Sequence, residues 1–342
     1  MAAVPAGTPA PGQASRPGYE WHLPPGFPQP RVPSANPMSE AKVALGRRLF
    51  FDTRMSVTHR YACASCHRPE LAYTDGRALA VGSTGAVLPR SAMSLVNVAY
   101  SQSFGWRKPG AGSLEAQMRQ PMFSEHPVEL GLRGERVRLL REFAADTALA
   151  RGFSAAFPDS TLPVSMPHVI QAIASFERSL IAGRSAFDRF VFDDDKAALT
   201  DAAKRGMALF YSARTGCAAC HSGVAFAGPA ATARPFRRRS VFADSGTGGV
   251  FKVPTLRNIG VTAPYMHDGR FSDLGAVLDH YENPRRDAVA GETVDARLHP
   301  LRLAASEKHD LIDFLNSLSD LDSKGGGPGA GPGTIISDSA MH

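Results

Sequence analysis

All four cysteines of the chain fall in two Cys-x-x-Cys-His segments, Cys63-Ala-Ser-Cys66-His67 and Cys217-Ala-Ala-Cys220-His221. Two thiols three residues apart, followed at once by an imidazole, suit covalent attachment of a haem. The thiols form thioethers to its edge and the histidine becomes the proximal iron ligand. A lone CxxC also serves zinc and dithiol chemistry, but both copies carry the adjoining His, and no further Cys is left to complete a zinc site. Two covalently bound haem c groups are therefore expected, with His67 and His221 on the irons.

The sixth position of each iron separates a carrier from an enzyme. A carrier caps both irons with protein ligands, whereas an oxygen or peroxide enzyme leaves one open. Residues 68–125, which must wrap the first haem, contain no His. Met93, Met118 and Met122 remain as candidate caps, and an open iron is the preferred reading. For the second haem the candidates are Met266, in Tyr265-Met-His-Asp-Gly269, and Tyr281. Leu274, Val277, Leu278 and Tyr281 share one face of a helix expected to start near Ser272, which aims the phenol at the core. An ordinary buried Tyr closing a core stripe is the alternative. His280 projects about 100° away and is the poorer candidate. A thioether stabilises ferrous iron; an anionic phenolate favours the more oxidised states.

The elements that must position these groups come from a repeat. Leu45-Gly-Arg-Arg-Leu-Phe50 precedes the first motif and Arg205-Gly-Met-Ala-Leu-Phe210 the second, so each copy reads as a short helix ending in Leu-Phe, a loop, then CxxCH. Asn36-Pro37 is the expected opening of the helix through Phe50. Val169, Ile170, Ile173, Phe176, Leu180 and Ile181 predict one long helix over 167–192. Ser306 is the expected cap of a closing helix carrying Leu311, Phe314, Leu315 and Leu318. No convincing strand ladder is visible. The expected fold is mostly α, with two cytochrome c-like domains each around one haem. The expected division is an extended Pro-rich arm over 1–37, a peroxidatic domain over 38–195, an electron-transfer domain over 196–323 and a flexible tail over 324–342.

The 342 residues are 43% hydrophobic and 20% charged, with a net charge of +6. Apart from Arg237-Arg238-Arg239 there is no run of like charge, which argues against nucleic acid and leaves room for an acidic partner protein. No apolar run approaches the ~20 residues of a membrane span. The opening residues lack the charged and apolar regions of a signal peptide. Haem joins CxxCH outside the cytoplasmic membrane, so a periplasmic location is expected, with the export signal upstream or removed.

Several further blocks are specific. They are Leu45-Gly-Arg-Arg-Leu-Phe-Phe-Asp52, Trp106 with Ser113-Leu-Glu-Ala-Gln117, Pro127-Val-Glu-Leu-Gly131, Pro254-Thr-Leu-Arg-Asn258 and Thr262-Ala-Pro-Tyr-Met-His-Asp-Gly269. Over roughly residues 20–320 the chain resembles the bacterial di-haem cytochrome c peroxidases and their relatives MauG and MbnH. Trp21-His-Leu-Pro-Pro-Gly-Phe-Pro and Pro89-Arg-Ser-Ala-Met-Ser-Leu95 bring it nearest the MbnH-like branch.

The resemblance implies a hydrogen peroxide enzyme that forms high-valent haem iron. Where the family often has a capping TGH, this chain has Ser83-Thr-Gly-Ala86, implying a first haem ready without reductive activation. Gln117, Pro121 and Glu129 match the distal pocket, with Glu129 as the acid that moves a proton between the peroxide oxygens and Glu125 as runner-up. The family's Met or Tyr ligand falls at Tyr281. Trp106 matches the Trp between the haems, with a buried core Trp as the alternative. Thr262 and Pro264 match carbonyl ligands of a calcium ion, while Ser91 replaces the family's Asn. The implied reductant is residues, such as Trp, of a partner protein. The alternatives are a conventional cytochrome c peroxidase drawing electrons from a small cytochrome or copper protein, and a non-catalytic di-haem electron carrier.

Overall fold

The computed structural model describes residues 18–108, 110–228, 241–244, 249–284 and 298–320. Its ten helices among the described residues are α1 (Glu40–Phe50), α2 (Cys63–Cys66), α3 (Leu114–Phe123), α4 (Arg136–Ala145), α5 (Thr147–Ala156), α6 (Met166–Ser179), α7 (Ala186–Phe192), α8 (Asp201–Phe210), α9 (Leu274–Glu282) and α10 (Ala305–Asn316). The mostly helical expectation holds. The Arg237–Arg239 run and the 324–342 tail lie outside the described residues.

The repeat in the sequence is a repeat in space. Helix α1 packs across α6, and α8 packs across α10. Each crossing needs a glycine: a Cβ at Gly46 would lie 1.9 Å from the Ala172 carbonyl oxygen, and one at Gly206 would lie 1.9 Å from that of Asp310. Beyond each glycine the chain places matching aromatic rings. Phe50 meets Phe176 at 5.1 Å and Tyr73 at 6.0 Å, while Phe210 meets Phe314 at 5.0 Å and Phe226 at 6.0 Å. Two apolar clusters result, one around Leu49, Phe50, Phe143 and Ile173 and one around Phe210, Phe226, Phe314 and Leu318.

Several boundaries differ from expectation. Ser39 caps α1, its hydroxyl accepting from Lys42 N–H at 3.2 Å. Asn36 instead ties the arm down, donating to Glu115 at 2.8 Å and to the Gln171 carbonyl at 3.0 Å while accepting from Lys42 Nζ. The helix expected over 167–192 is two, α6 and α7. Between them the Ala182 N–H donates to Asn97 Oδ1 and the Gly183 and Arg184 N–H groups donate to Asp320. Ser185 and Asp188 then form a capping box that restarts the helix. Helix α10 begins at Ala305, before Ser306, and Asp273 caps α9. A small antiparallel sheet, absent from the expectation, joins β1 (Arg107–Lys108), β2 (Val241–Asp244) and β3 (Gly249–Lys252) in the order β1-β3-β2. It stitches the first copy to the second.

Candidate functional site

Each motif folds as a single tight turn: α2 carries Cys63 and Cys66, and a 3₁₀ turn over Cys217–Ala219 carries the second pair. His67 Nδ1 donates to the Tyr73 carbonyl at 2.9 Å and His221 Nδ1 to the Phe226 carbonyl at 3.0 Å. A carbonyl can only accept, so the proton is on Nδ1 and Nε2 keeps the lone pair that a metal requires. Burial holds both imidazoles below their ordinary pKa, which favours that neutral form. Both rings remain half-buried.

The carbonyls are presented by strained backbone. Tyr73 has φ 60° and Phe226 φ 49°, a region L-residues rarely enter. Matching hydrogen bonds hold these turns: Ser94 Oγ donates to the Ala72 carbonyl at 2.7 Å, and Thr255 Oγ1 to the Ala225 carbonyl at 2.6 Å. Asn97 and Asn258 follow in left-handed backbone, each bonding the chain beyond its crossing helix, at Ala182 and Asp320.

The thiols are unlike reactive cysteines. Burial pushes Cys66 up to about 11, with Asp75 and Glu129 adding to the effect, and burial raises Cys63 and Cys217 as well. Among the described residues no cluster of three or more His, Cys, Asp or Glu could hold a metal ion. The donor chemistry thus fits a covalently held haem at each motif better than zinc or a thiolate nucleophile.

The distal side is where the copies diverge. Ser113 caps α3 by accepting from Ala116 N–H, and Asp273 caps α9 by accepting from Ala276 N–H. Eight residues beyond each cap stand Pro121 and Tyr281. Their carbonyls make the same tertiary bond, accepting from Leu130 N–H at 2.9 Å and Leu301 N–H at 3.0 Å. At one structural position the first copy has a side chain that cannot bind iron and the second has a phenol. Tyr281 is half-buried, and its neighbour His280 is more deeply buried, packed by Phe271 at 5.3 Å. His280, the candidate set aside for its 100° offset from the core stripe, is thus the more buried of the two.

Glu129 lies on the loop after α3. Its N-terminal neighbour Val128 is met by Gly82, where a Cβ would fall 2.0 Å from the Val128 carbonyl oxygen. Ser83 N–H donates to the Glu129 carbonyl at 2.7 Å, so the Ser83–Ala86 loop packs on the acid's own backbone. Burial raises the Glu129 pKa, opposed by a hydrogen bond from Gln120. Glu125 instead is exposed and paired with Arg133. Gln117 extends from α3 to Gly105, with Oε1 3.1 Å from where a Cβ would sit. Met118 and Met122 are buried in the first apolar cluster. Met93 is half-buried and lines the cavity between the copies.

Between the copies, Trp106 Nε1 donates to the Ser91 carbonyl at 2.8 Å, and the Trp106 and His267 rings meet edge-on at 6.4 Å. These two follow Gly105 (φ 81°) and Met266 (φ 72°), so they too occupy matching places. A cavity of about 80 Å³ lies here, lined by Ser91, Trp106, Thr262, Pro264 and Met266 among others. Ser91 Oγ donates to the Met266 carbonyl at 3.2 Å. The three residues expected around calcium thus line one cavity, together with apolar side chains and Lys252; hydroxyl and carbonyl oxygens are a donor class that calcium accepts. Met266 lies there too. The signals that reading by motif missed are the paired capping positions and the capping box at Ser185.

Comparison with known proteins agrees with this architecture. A family model described as di-haem cytochrome c peroxidase matches residues 40–196. The methylamine utilization protein MauG of Methylorubrum extorquens is 37% identical over 298 residues, covering 84% of this chain and 80% of that protein. The cytochrome c551 peroxidase of Pseudomonas aeruginosa is 30% identical, covering 83% and 80%. A crystal structure of a MauG-like protein associated with microbial copper homeostasis superposes with a TM-score of 0.81 at 34% identity, covering 88% of this chain and 96% of that one. With a matched repeat, two CxxCH turns and relatives aligned over most of its length, the chain belongs to the di-haem cytochrome c peroxidase and MauG family of haem peroxidases.

Proposed function

We propose that the chain is a periplasmic di-haem c-type enzyme that uses hydrogen peroxide to oxidise residues of a partner protein, Trp among them. The observation that carries the reading is Pro121 standing where its counterpart is Tyr281. The haems, when bound, supply the iron on which peroxide is reduced and on which oxidising equivalents are held. Cys63, Cys66 and His67 would hold the first within a domain over 38–195; Cys217, Cys220, His221 and Tyr281 would hold the second within a domain over 196–323.

Pro121 has no side-chain donor for iron and would leave the first haem open to the oxidant. Glu129, whose raised pKa brings its proton affinity closer to neutrality, accepts a proton from the near oxygen of peroxide and returns it to the far one, so that water leaves. Gln117 orients the oxidant. As a ligand of the second haem, a Tyr281 phenolate would bring negative charge to the iron and so favour its oxidised states. Trp106, its indole fixed by the Ser91 carbonyl, lies on the way between the two sites. Ser91, Thr262 and Pro264, which line the cavity beside it, would hold a calcium ion there through hydroxyl and carbonyl oxygens.

The greater identity to MauG and the fit to the MauG-like structure support a protein substrate; a conventional peroxidase fed by a small cytochrome or copper protein is the rival. The test is electron paramagnetic resonance of the oxidised holoprotein followed by turnover with reduced cytochrome c. One high-spin and one low-spin haem are expected, the low-spin signal changing in Tyr281→Phe, with slow turnover. Two low-spin haems would make the chain an electron carrier, and rapid turnover would make it a conventional peroxidase.

A further inference from the structure

The matched aromatic clusters differ at the ring that follows each repeat helix, a difference the fold does not require. Each repeat helix is followed by a ring lying over its crossing helix. In the first copy this is Phe51, 5.3 Å from Phe50 and 6.4 Å from Phe176; in the second it is Tyr211, 5.3 Å from Phe210 and 6.4 Å from Phe314. Phe51 is 41% exposed and Tyr211 50%, so both rings cap their clusters at the surface. Only the second copy puts an oxidisable ring there. Of the chain's seven Tyr and two Trp, Tyr211 is the most exposed. The cluster beneath it runs without interruption from Tyr211 to Phe210 and from Phe210 to Phe226, whose carbonyl takes the His221 proton.

We propose that Tyr211 is the surface redox station of the second haem unit, the point at which electrons from a docked partner's aromatic side chain enter. This rests on the peroxidase reading above. Hydrogen peroxide takes up two electrons and two protons to become two waters. Tyr211 supplies one electron to the oxidised haem pair; its O–H bond breaks, the proton passes to solvent and a neutral phenoxyl radical remains. The second oxidising equivalent stays on the haem pair. A partner Tyr or Trp then gives an electron to the Tyr211 radical, which regains a proton from water; the partner side chain loses its own O–H or N–H proton to water and is left as a neutral radical. Partial burial keeps the Tyr211 phenol protonated, so its oxidation must release a proton, and its exposure lets water take it. The phenylalanines beneath are too hard to oxidise to serve as stations and act as the packed medium between.

The test treats the holoprotein with hydrogen peroxide, without reductant, in the presence of a nitroso spin trap, and follows the haem spectrum and the peptides. Wild type should show a peroxide-dependent change at the haems and a trap adduct on the Tyr211 peptide. Tyr211→Phe, which only installs the ring found at Phe51, should lose the adduct and slow the decay of the oxidised spectrum. Tyr211→Trp should restore the decay with modification at residue 211. An unchanged decay in Tyr211→Phe, with the adduct elsewhere, overturns the proposal alone. No haem response to peroxide in wild type overturns the peroxidase reading and this one with it.

Discussion

The helix crossings can be tested by adding a single methyl group. In Gly46→Ala the new Cβ would sit 1.9 Å from the Ala172 carbonyl oxygen, 2.5 Å from its carbon and 2.9 Å from Phe176 Cβ. Backbone cannot swing aside as a side chain can, so α1 and α6 must part by roughly 1 Å, at a cost of about 1–3 kcal/mol as for other overpacked cores. Against this stands the helix preference of Ala over Gly, at most ~1 kcal/mol. Strain wins, and the net expectation is a loss of about 1–2 kcal/mol, or several degrees in Tm. Gly206→Ala should behave alike, since its Cβ would meet the Asp310 carbonyl oxygen at 1.9 Å, its carbon at 2.5 Å and Phe314 Cβ at 2.9 Å. Gly152→Ala, inside α5 and no closer than 3.4 Å to Leu45 Cδ1, is the control and should stabilise. Denaturant titration of the holoproteins by far-ultraviolet circular dichroism reads all three. If Gly46→Ala or Gly206→Ala matched the control, the crossing geometry would be wrong and with it the argument from paired positions.

Glu129→Gln should slow the reaction with peroxide by about 10²–10⁴-fold, while Glu125→Gln should leave it near wild type, in stopped-flow measurements. Because burial raises the Glu129 pKa above the ordinary 4.5, the rate should fall on the acid side at a higher pH than a free carboxyl would give; an acid limb at or below 4.5 removes Glu129 as the base. Tyr281→Met should raise the second haem's potential in spectroelectrochemistry, a thioether favouring ferrous iron; no shift would mean that residue 281 is not a ligand. Ser91→Asn should tighten calcium binding in calorimetry by adding a carbonyl oxygen, and an absence of calcium binding in both proteins would dismiss the site. Burial pushes Glu177 up to about 8. A carboxyl whose folded pKa exceeds its unfolded value near 4.5 contributes stability at low pH that is lost as pH rises through 8. Glu177→Leu should therefore flatten the stability–pH curve between those values, where the wild type should lose up to about 1 kcal/mol per pH unit; an unaltered slope would refute the assignment.

Motifs and periodicity revealed what is local. The CxxCH turns need only adjacent residues, and helices α1 and α8 end at Leu-Phe as their repeats suggest. The stripe through Val169, Ile173, Phe176 and Leu180 is buried as its spacing requires. Its spacing predicts one helix through Ile181 and beyond, but the break after Ser179 depends on Asn97 and Asp320, both distant in sequence. Asn36 has the composition of a cap but is claimed by Glu115 and Gln171. The sheet escaped notice because its strands are short and β1 pairs with residues more than a hundred positions away. Placement of Glu129 beside the Ser83 loop is likewise a tertiary fact.

A duplicated unit supplies its own control for what the fold demands. The glycine crossings, the His–carbonyl bonds and the capped distal helices recur in both copies with nearly equal distances, so they answer to architecture. Where matched positions differ, architecture cannot be the reason. The distal helices exchange Pro121 for Tyr281, and Gln120, which bonds Glu129, for His280. The surface rings exchange Phe51 for Tyr211. On the crossing helices Glu177 stands where the copy has buried Leu315, in a place only 8% exposed and within electrostatic reach of Cys63. Tyr281 and Tyr211 put phenols in the second copy and Glu177 puts a carboxyl in the first, whereas Tyr73 and Trp106 stand in the first copy opposite Phe226 and His267. That distribution fits a molecule in which one half cleaves a peroxide bond and the other holds the oxidising power that results, with the indole between them contributed by the first.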